Sequence, residues 1–287
     1  MRYRGSIGAL ALMAVLSAMC AGAFAFDQSK YPDWKGQWSR VRFPGVSGQP
    51  SFDQTKSAGA GQQAPLTPEY QLIFEANLKD QAAGGQGTDP TSTCLSPGMP
   101  RIMTAYEPME IVITPQTTHI LMEHIHDSRR IYTDGRSWPQ DIEPSFAGYS
   151  IGQWRDPDGA GRYTVLEVET RGFKGPRTYD AAGIPLHKDN QTVIQERFHL
   201  AKGGPDLLDD EITINDHALT RPWTVTKHYQ RDPAQQQPVW RESVCAENNS
   251  HVQIGAQHYY LSADGELMPA KKDQPPPDLK FFGQTKK

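Results

Sequence analysis

The residues best suited to chemistry in this sequence are two histidines in the run Glu123-His124-Ile125-His126-Asp127. The run continues an alternating segment, so we predict a strand over Thr118–His126 with both imidazoles on one face. Two imidazoles held together on a strand can act as an acid and a base, or they can share a metal ion. We therefore expect His124 or His126 to be the general base of an acid–base reaction that needs no cofactor. A divalent metal held by the same pair is the alternative.

A metal site would need a third ligand, and His187, His199 and Glu167 are the candidates. The spacing does not follow the cupin pattern of metal ligands, because Arg130 and Ile131 stand where a cupin has its glutamate. The other interpretation of the histidine pair is structural, as hydrogen-bonded side chains in a barrel wall.

A second group of candidates follows directly downstream. Asp134-Gly135 predicts a tight turn in which Asp134 accepts backbone N–H bonds and pairs with Arg136. Tyr132 is a third candidate catalytic residue, since it would steady developing negative charge together with Arg130. The predicted substrate contacts of this segment orient a carboxylate, a phosphate or a sugar hydroxyl. They are Arg130, Asp134, Arg136 and Trp138.

Two further substrate contacts are predicted elsewhere. Glu169 shares a strand face with Glu167, and such a pair divides acid and base roles when buried but more commonly forms a solvated outer face. His187 follows Gly183-Ile184-Pro185, in a loop that would cover a cavity entrance.

The elements that must position these residues are mostly short β-strands separated by turn residues. One helix precedes them, with Thr67 as its cap, Pro68 in its first turn and Gly84-Gly85 at its end. The sequence therefore predicts an antiparallel lipocalin-like (calycin-like) barrel or a strongly curled sheet, with one N-terminal helix. The other predicted strands are Glu110–Thr114, Arg130–Thr133, Gly161–Phe173, Thr192–Leu200, Leu207–Asn215, Trp223–Gln230, Val239–Ala246 and Gln257–Ser262.

The chain begins like an exported protein. Arg2 and Arg4 precede the apolar run Ile7–Met19, and Ala23-Phe24-Ala25 suits a signal peptidase. We expect a periplasmic or secreted protein, cut near Ala25; a lipid anchor at Cys20 is the less favoured alternative. The predicted divisions are a signal (1–25), a polar, partly ordered arm (26–65), a helix plus an antiparallel β domain (66–266) and an extended Pro-rich tail (267–287).

Cysteine usage and charge exclude several classes of function. Cys94 and Cys245 are the two cysteines beyond the signal, and in an oxidising compartment they are predicted to form one disulfide. The chain of 287 residues has 33 acidic and 29 basic side chains and a formal charge of −4, which disfavours nucleic-acid binding. We predict no transmembrane segment, and the sequence predicts no particular oligomeric state.

Several sequence blocks occur in an order that resembles a large, uncharacterised family of exported proteins from proteobacteria and acidobacteria. The resemblance covers about residues 95–247 and implies an exported, mainly β protein of barrel type; it implies no shared activity. The blocks are Ile131–Arg136, Gly148–Trp154, Val168–Phe173, Glu196–Phe198, Thr213–Asp216 and Pro222–Thr224.

Together these features predict an exported barrel that binds or transforms a small, partly apolar molecule in its interior. A catalytic version would be a lyase, an isomerase or a hydrolase working by acid–base catalysis. Two alternatives remain: a metal-dependent enzyme using His124 and His126, and a non-catalytic envelope interaction module whose arm and tail contact a partner.

Overall fold

The computed structural model describes residues 26–41, 64–105, 107–202, 204–233, 240–242, 244–245, 250–255 and 257–280. The predicted export signal, Cys20, residues 42–63 of the predicted arm and the last seven residues lie outside this part of the chain. Among the described helices, none combines the length and the hydropathy needed to cross a membrane.

Nine strands close into a barrel in the order in which they occur along the chain. The predicted β-barrel with one helix is thereby confirmed. The barrel strands are β1 (Gln37–Arg40), β2 (Met109–Ile113), β3 (Thr117–Met122), β4 (Ser128–Tyr132), β5 (Tyr149–Arg155), β6 (Val165–Arg171), β7 (Val193–Leu200), β8 (Leu207–Asn215) and β9 (Trp223–Arg231).

The barrel is mixed, because β4 and β5 pair in parallel whereas the other neighbours pair antiparallel. A parallel pair needs a long connection, and residues 133–148 provide it. This segment leaves the end of β4 and turns back, so that β5 begins beside β4 and runs in the same direction, with Tyr132 paired to Ile151. It also carries Asp134, Arg136 and Trp138 along the outside of the barrel.

The short strand β1 completes the closure and lies in the segment that the sequence predicts as a polar arm. Trp38 in β1 pairs with Met109 of β2 on one side and with Arg231 of β9 on the other. A strand of four residues has too few alternating positions to stand out in the sequence.

Strand alternation fills the barrel with side chains. On β8, Leu208, Asp210, Ile212 and Ile214 point inward and are buried, whereas the residues that alternate with them are only half-buried. Trp34 closes one end, with ring centroids 5.0 Å from Trp154 and 6.3 Å from Phe198.

The opposite end is covered by a 3₁₀ turn (Arg101–Thr104) and by the loop 173–186. The helix α1 (Pro68–Ala82) adds Phe74 to the core, and the Thr67 hydroxyl caps it by accepting the Tyr70 N–H at 3.4 Å. The predicted cap of this helix is therefore present.

A small antiparallel sheet of β10 (His251–Ile254), β11 (Gln257–Leu261) and β12 (Leu267–Pro269) follows the barrel. The predicted disulfide joins Cys94 to Cys245, with Cα atoms 5.6 Å apart. The predicted strand Val239–Ala246 is wrong for the residues described there, 240–242 and 244–245, which belong to no strand. The predicted tail begins with β12, which pairs with β11.

Candidate functional site

The histidine pair does not lie on a strand. β3 ends at Met122, and His124–His126 form a 3₁₀ turn in which Ile125 has a φ of 55°. The predicted extension of β3 is therefore wrong, because a left-handed residue between the histidines breaks the alternation that would align them. The His124 Nδ1 lies 3.2 Å from an oxygen of Glu107. The side chain of His126 lies outside the described part of the chain.

Two of the three predicted catalytic residues, His124 and Tyr132, are not brought together. Tyr132 ends β4, a strand about 13 Å long, whereas His124 precedes the beginning of that strand. The proposed third metal ligands also have other partners. His199 lies 3.5 Å from Glu211, and Glu167 binds Arg155 at 2.7 Å.

The predicted turn after β4 is present on the outside of the barrel. Asp134 accepts bonds from the Arg136 guanidinium at 2.7 and 2.9 Å, and this contact lowers the pKa of Asp134 to about 2. The guanidinium also lies over the Tyr132 ring, 3.8 Å from its centroid. Arg130 is exposed on the same outer face of β4. These residues therefore form a surface cluster that holds the turn.

Trp138 and Glu169 continue this cluster. Arg171 lies over the Trp138 ring, 4.7 Å from its centroid, and binds Glu169 at 2.5 Å. Both Trp138 and Glu169 line an open groove of about 540 Å³ across the outer faces of β5 to β9. Five predicted substrate contacts thus share one outer surface, away from the barrel interior, whereas His187 lies apart from them, beside Tyr70.

Charged side chains occupy inward positions on five barrel strands. Their neighbours on the same faces are apolar; Asp210, for example, lies between Leu208 and Ile212. Burying a charged group costs free energy unless the group is paired, and charged groups that are buried at such a cost commonly serve a function. This interior cluster is therefore the stronger candidate site. Its charged members are Arg40, Arg129, Glu196, Asp210 and Lys227.

Within the interior cluster, Arg129 and Glu196 form an ion pair that has a structural role. Two guanidinium nitrogens of Arg129 donate to the two Glu196 oxygens at 2.8 and 2.6 Å, and both side chains have zero exposure. The Thr170 hydroxyl accepts a further, longer bond from Arg129 at 3.4 Å. Because β4 and β7 are not neighbours in the sheet, this ion pair crosses the barrel interior.

Asp210 is the least satisfied member of the cluster. Its residue is completely buried, and neither carboxyl oxygen has a hydrogen-bond partner among the described residues. Burial, reinforced by the negative charge of Glu196, raises its pKa well above the usual value. Burial therefore favours the uncharged form of the carboxyl group, which can donate a hydrogen bond.

Lys227 pairs with Asp210 in the register of β8 and β9. Burial and the positive charge of Arg40 lower the pKa of Lys227 to about 7. Its ammonium nitrogen lies 5.0 Å from the centroid of the Tyr179 ring. A protonated carboxyl and an amine that titrates near neutrality are suited to hydrogen bonding with a neutral polar group and to proton transfer.

The cover over one end of the barrel supplies the remaining polar atoms. Tyr179, in the loop 173–186, has a buried hydroxyl without a hydrogen-bond partner among the described residues, and burial raises its pKa. The Tyr229 hydroxyl donates to the Met103 carbonyl at 2.6 Å, and Arg40 donates to the Thr104 carbonyl. The 3₁₀ turn and the loop thus enclose the interior cluster.

The sequence carries a signal for this cluster that the functional predictions do not use. Asp210 follows the alternation that places Ile212 and Ile214 on one face, and Lys227 shares its alternation with Val225 and Tyr229. The signal is a charged residue at a strand position where the alternation predicts an apolar, inward-pointing side chain. Which of these positions meet inside the barrel depends on the closure.

No protein-family model and no curated protein matches this chain. The resemblance to exported barrel-type proteins stays a prediction. The function is therefore inferred from the geometry of the barrel interior.

Proposed function

We propose that this is an exported protein that binds a small, partly apolar molecule inside its barrel. Asp210, Lys227 and Tyr179 would contact the polar group of that molecule. The observation that carries the proposal is the completely buried Asp210 carboxyl, whose two oxygens have no hydrogen-bond partner in the described part of the chain.

A buried polar group without a partner costs about 1–3 kcal/mol, so native proteins rarely retain one. A bound molecule can remove this cost by forming a hydrogen bond with the Asp210 carboxyl group. The buried Tyr179 hydroxyl, in the loop that covers one end of the barrel, also has no hydrogen-bond partner among the described residues. Two such groups on separate elements favour a ligand that satisfies both.

The surroundings of Asp210 indicate the chemistry of the ligand. Its register neighbours are Phe198 on β7 and Lys227 on β9, and Ile212 and Val225 lie one inward position further along. Apolar walls with one donor and one amine suit a mainly hydrocarbon molecule that carries a carbonyl or hydroxyl group.

The test is native mass spectrometry of the protein purified from the compartment to which it is exported, compared with its denatured mass. We expect an organic mass excess of a few hundred daltons in the wild type and its loss in Asp210→Leu, which has a similar shape but no hydrogen-bonding group. Asp209→Leu is the matched control, because it makes the same change one residue away on the outer face, where Asp209 binds His228 at 2.7 Å.

A wild-type protein without any mass excess would contradict the proposal and leave water as the partner of Asp210. The same excess in Asp210→Leu as in Asp209→Leu would also contradict it. Near-ultraviolet circular dichroism separates lost binding from lost folding. Should Asp210→Leu not fold, Tyr179→Phe, which removes only the hydroxyl, provides the second test.

A further inference from the structure

Three potential metal ligands meet on the outside of the barrel, apart from the interior cluster. His187 and Asp189 lie in the connection between β6 and β7, and His217 lies in the turn between β8 and β9. The Nδ1 of His217 is 2.6 Å from one oxygen of Asp189, and the Nδ1 of His187 is 3.1 Å from the other. One ligand atom from each side chain lies within 4.8 Å of the other two.

Neighbouring groups hold these two segments in place. The Asp216 carboxylate accepts the backbone N–H of His187 and that of Ala218, both at 2.8 Å, and so ties the two segments together. The ring of His187 packs on Tyr70 of α1, with centroids 5.3 Å apart. These contacts therefore position the backbone of the two segments that carry the ligands.

We propose that His187, Asp189 and His217 bind one divalent transition-metal ion of the Zn²⁺ type. Two imidazole nitrogens and one carboxylate oxygen are a ligand set that zinc accepts, whereas Ca²⁺ and Mg²⁺ take oxygen ligands. The site does not depend on the proposed function of the barrel interior.

Side-chain movements are needed to hold the ion. A tetrahedral zinc ion lies about 2.0–2.1 Å from its ligand atoms, which places those atoms roughly 3.3 Å from one another. The contacts to Asp189 are shorter than this, at 2.6 and 3.1 Å, and the His187 Nδ1 also accepts the Asp189 backbone N–H at 3.1 Å, a bond that it gives up when it binds the ion. The His217 side chain is 65% exposed, and three protein ligands leave a fourth position for water.

The test is isothermal titration of the untagged, metal-free protein with ZnCl₂, with the bound zinc counted by elemental analysis after dialysis. We expect one Zn²⁺ per chain. His217→Ala and Asp189→Asn should each weaken binding by more than about tenfold, since even an outer partner of a metal ligand is worth 10–100-fold in affinity. His228→Ala is the matched control, because His228 pairs with Asp209 on the outer face at 2.7 Å and should bind as the wild type does.

A wild-type protein that binds no zinc would overturn the proposal. Equal affinity of the wild type and His217→Ala would overturn it as well. His217 is the most exposed of the three side chains, so its substitution leaves the fold intact and keeps the test decisive. Asp210→Leu should retain the zinc, which separates the failure of this proposal from that of the barrel-interior ligand.

Discussion

Three consecutive acidic residues on β8 show how a single position decides the chemistry of a side chain. Each of them, Asp209, Asp210 and Glu211, carries a carboxyl group, yet only Asp210 points into the barrel. Asp209 binds His228 at 2.7 Å on the outside, and Glu211 lies 3.5 Å from His199. Burial therefore raises the pKa of Asp210 and favours its uncharged form.

Lys227 gives the stability of the protein a dependence on pH that can be measured. Its folded-state pKa is about 7, whereas an unfolded lysine has a pKa of about 10.4. Between these values the unfolded chain binds more protons, so the contribution of Lys227 to stability rises with pH. In urea unfolding experiments from pH 7 to pH 10, the free energy of unfolding of the wild type should rise relative to that of Lys227→Met. The rise should reach up to about 1.4 kcal/mol per pH unit.

The comparison between the two proteins removes the contributions of groups that they share. Asp210 acts with the opposite sign, because its raised pKa favours the folded state at low pH and that contribution is lost as pH rises. A difference in unfolding free energy that stays constant from pH 7 to pH 10 would show that Lys227 is charged in the folded protein.

At the scale of elements, strand alternation decides which charged residues enter the barrel and which remain outside. On β7, Glu196 points inward between Ile194 and Phe198, whereas Arg197 lies on the outer face. The Arg129–Glu196 pair then links β4 to β7 across the interior. This link spans the part of the barrel where β4 and β5 share only two register pairs.

Removing one partner of this buried ion pair should be more damaging than removing both. Arg129→Met or Glu196→Leu alone leaves an uncompensated buried charge and should lower the free energy of unfolding by about 3–5 kcal/mol. The double variant should lose less than the sum of the two single losses. Urea denaturation of the four proteins measures the coupling.

The exposed Arg155–Glu167 pair is the matched control, with a distance of 2.7 Å and side chains that are each 47% exposed. The corresponding substitutions there, Arg155→Met and Glu167→Leu, should show a coupling of about 0–1 kcal/mol. Equal coupling energies in the two pairs would contradict a role for burial.

At the scale of the whole molecule, distant segments of the chain complete the structure. β1 closes the barrel between β2 and β9, although many residues separate it from both. The disulfide joins the segment after α1 to the chain that follows β9, over a sequence separation of 151 residues. Near the bridge, His251 of β10 bonds the Ser92 carbonyl at 2.7 Å, so the small sheet is attached to the same segment.

The disulfide should contribute measurably to stability, because it removes freedom from a long stretch of the unfolded chain. We expect Cys94→Ala/Cys245→Ala to lower the free energy of unfolding by about 2–5 kcal/mol. Guanidinium denaturation measures the loss, and the wild type under reducing conditions should behave like the double variant. Unchanged stability in both cases would show that the bridge does not form in the protein.

The sequence by itself determined the class of fold, because alternation and turn residues are local properties. The strand Leu207–Asn215, the capped helix, the Asp134–Arg136 turn and the cysteine pair all follow from residue types and spacing. The conformation of the histidine pair could not be predicted in this way, since an alternation pattern does not reveal that Ile125 has a left-handed backbone conformation.

Only the tertiary structure decided which residues meet. Closure of the barrel brings Arg129, Glu196, Asp210 and Lys227 from four strands into one interior, where burial shifts the pKa values of Asp210 and Lys227. Packing of two loops against each other likewise places His217 beside Asp189. These contacts join residues far apart in sequence, and long-range pairing of strands and loops sets them rather than any local preference of the chain.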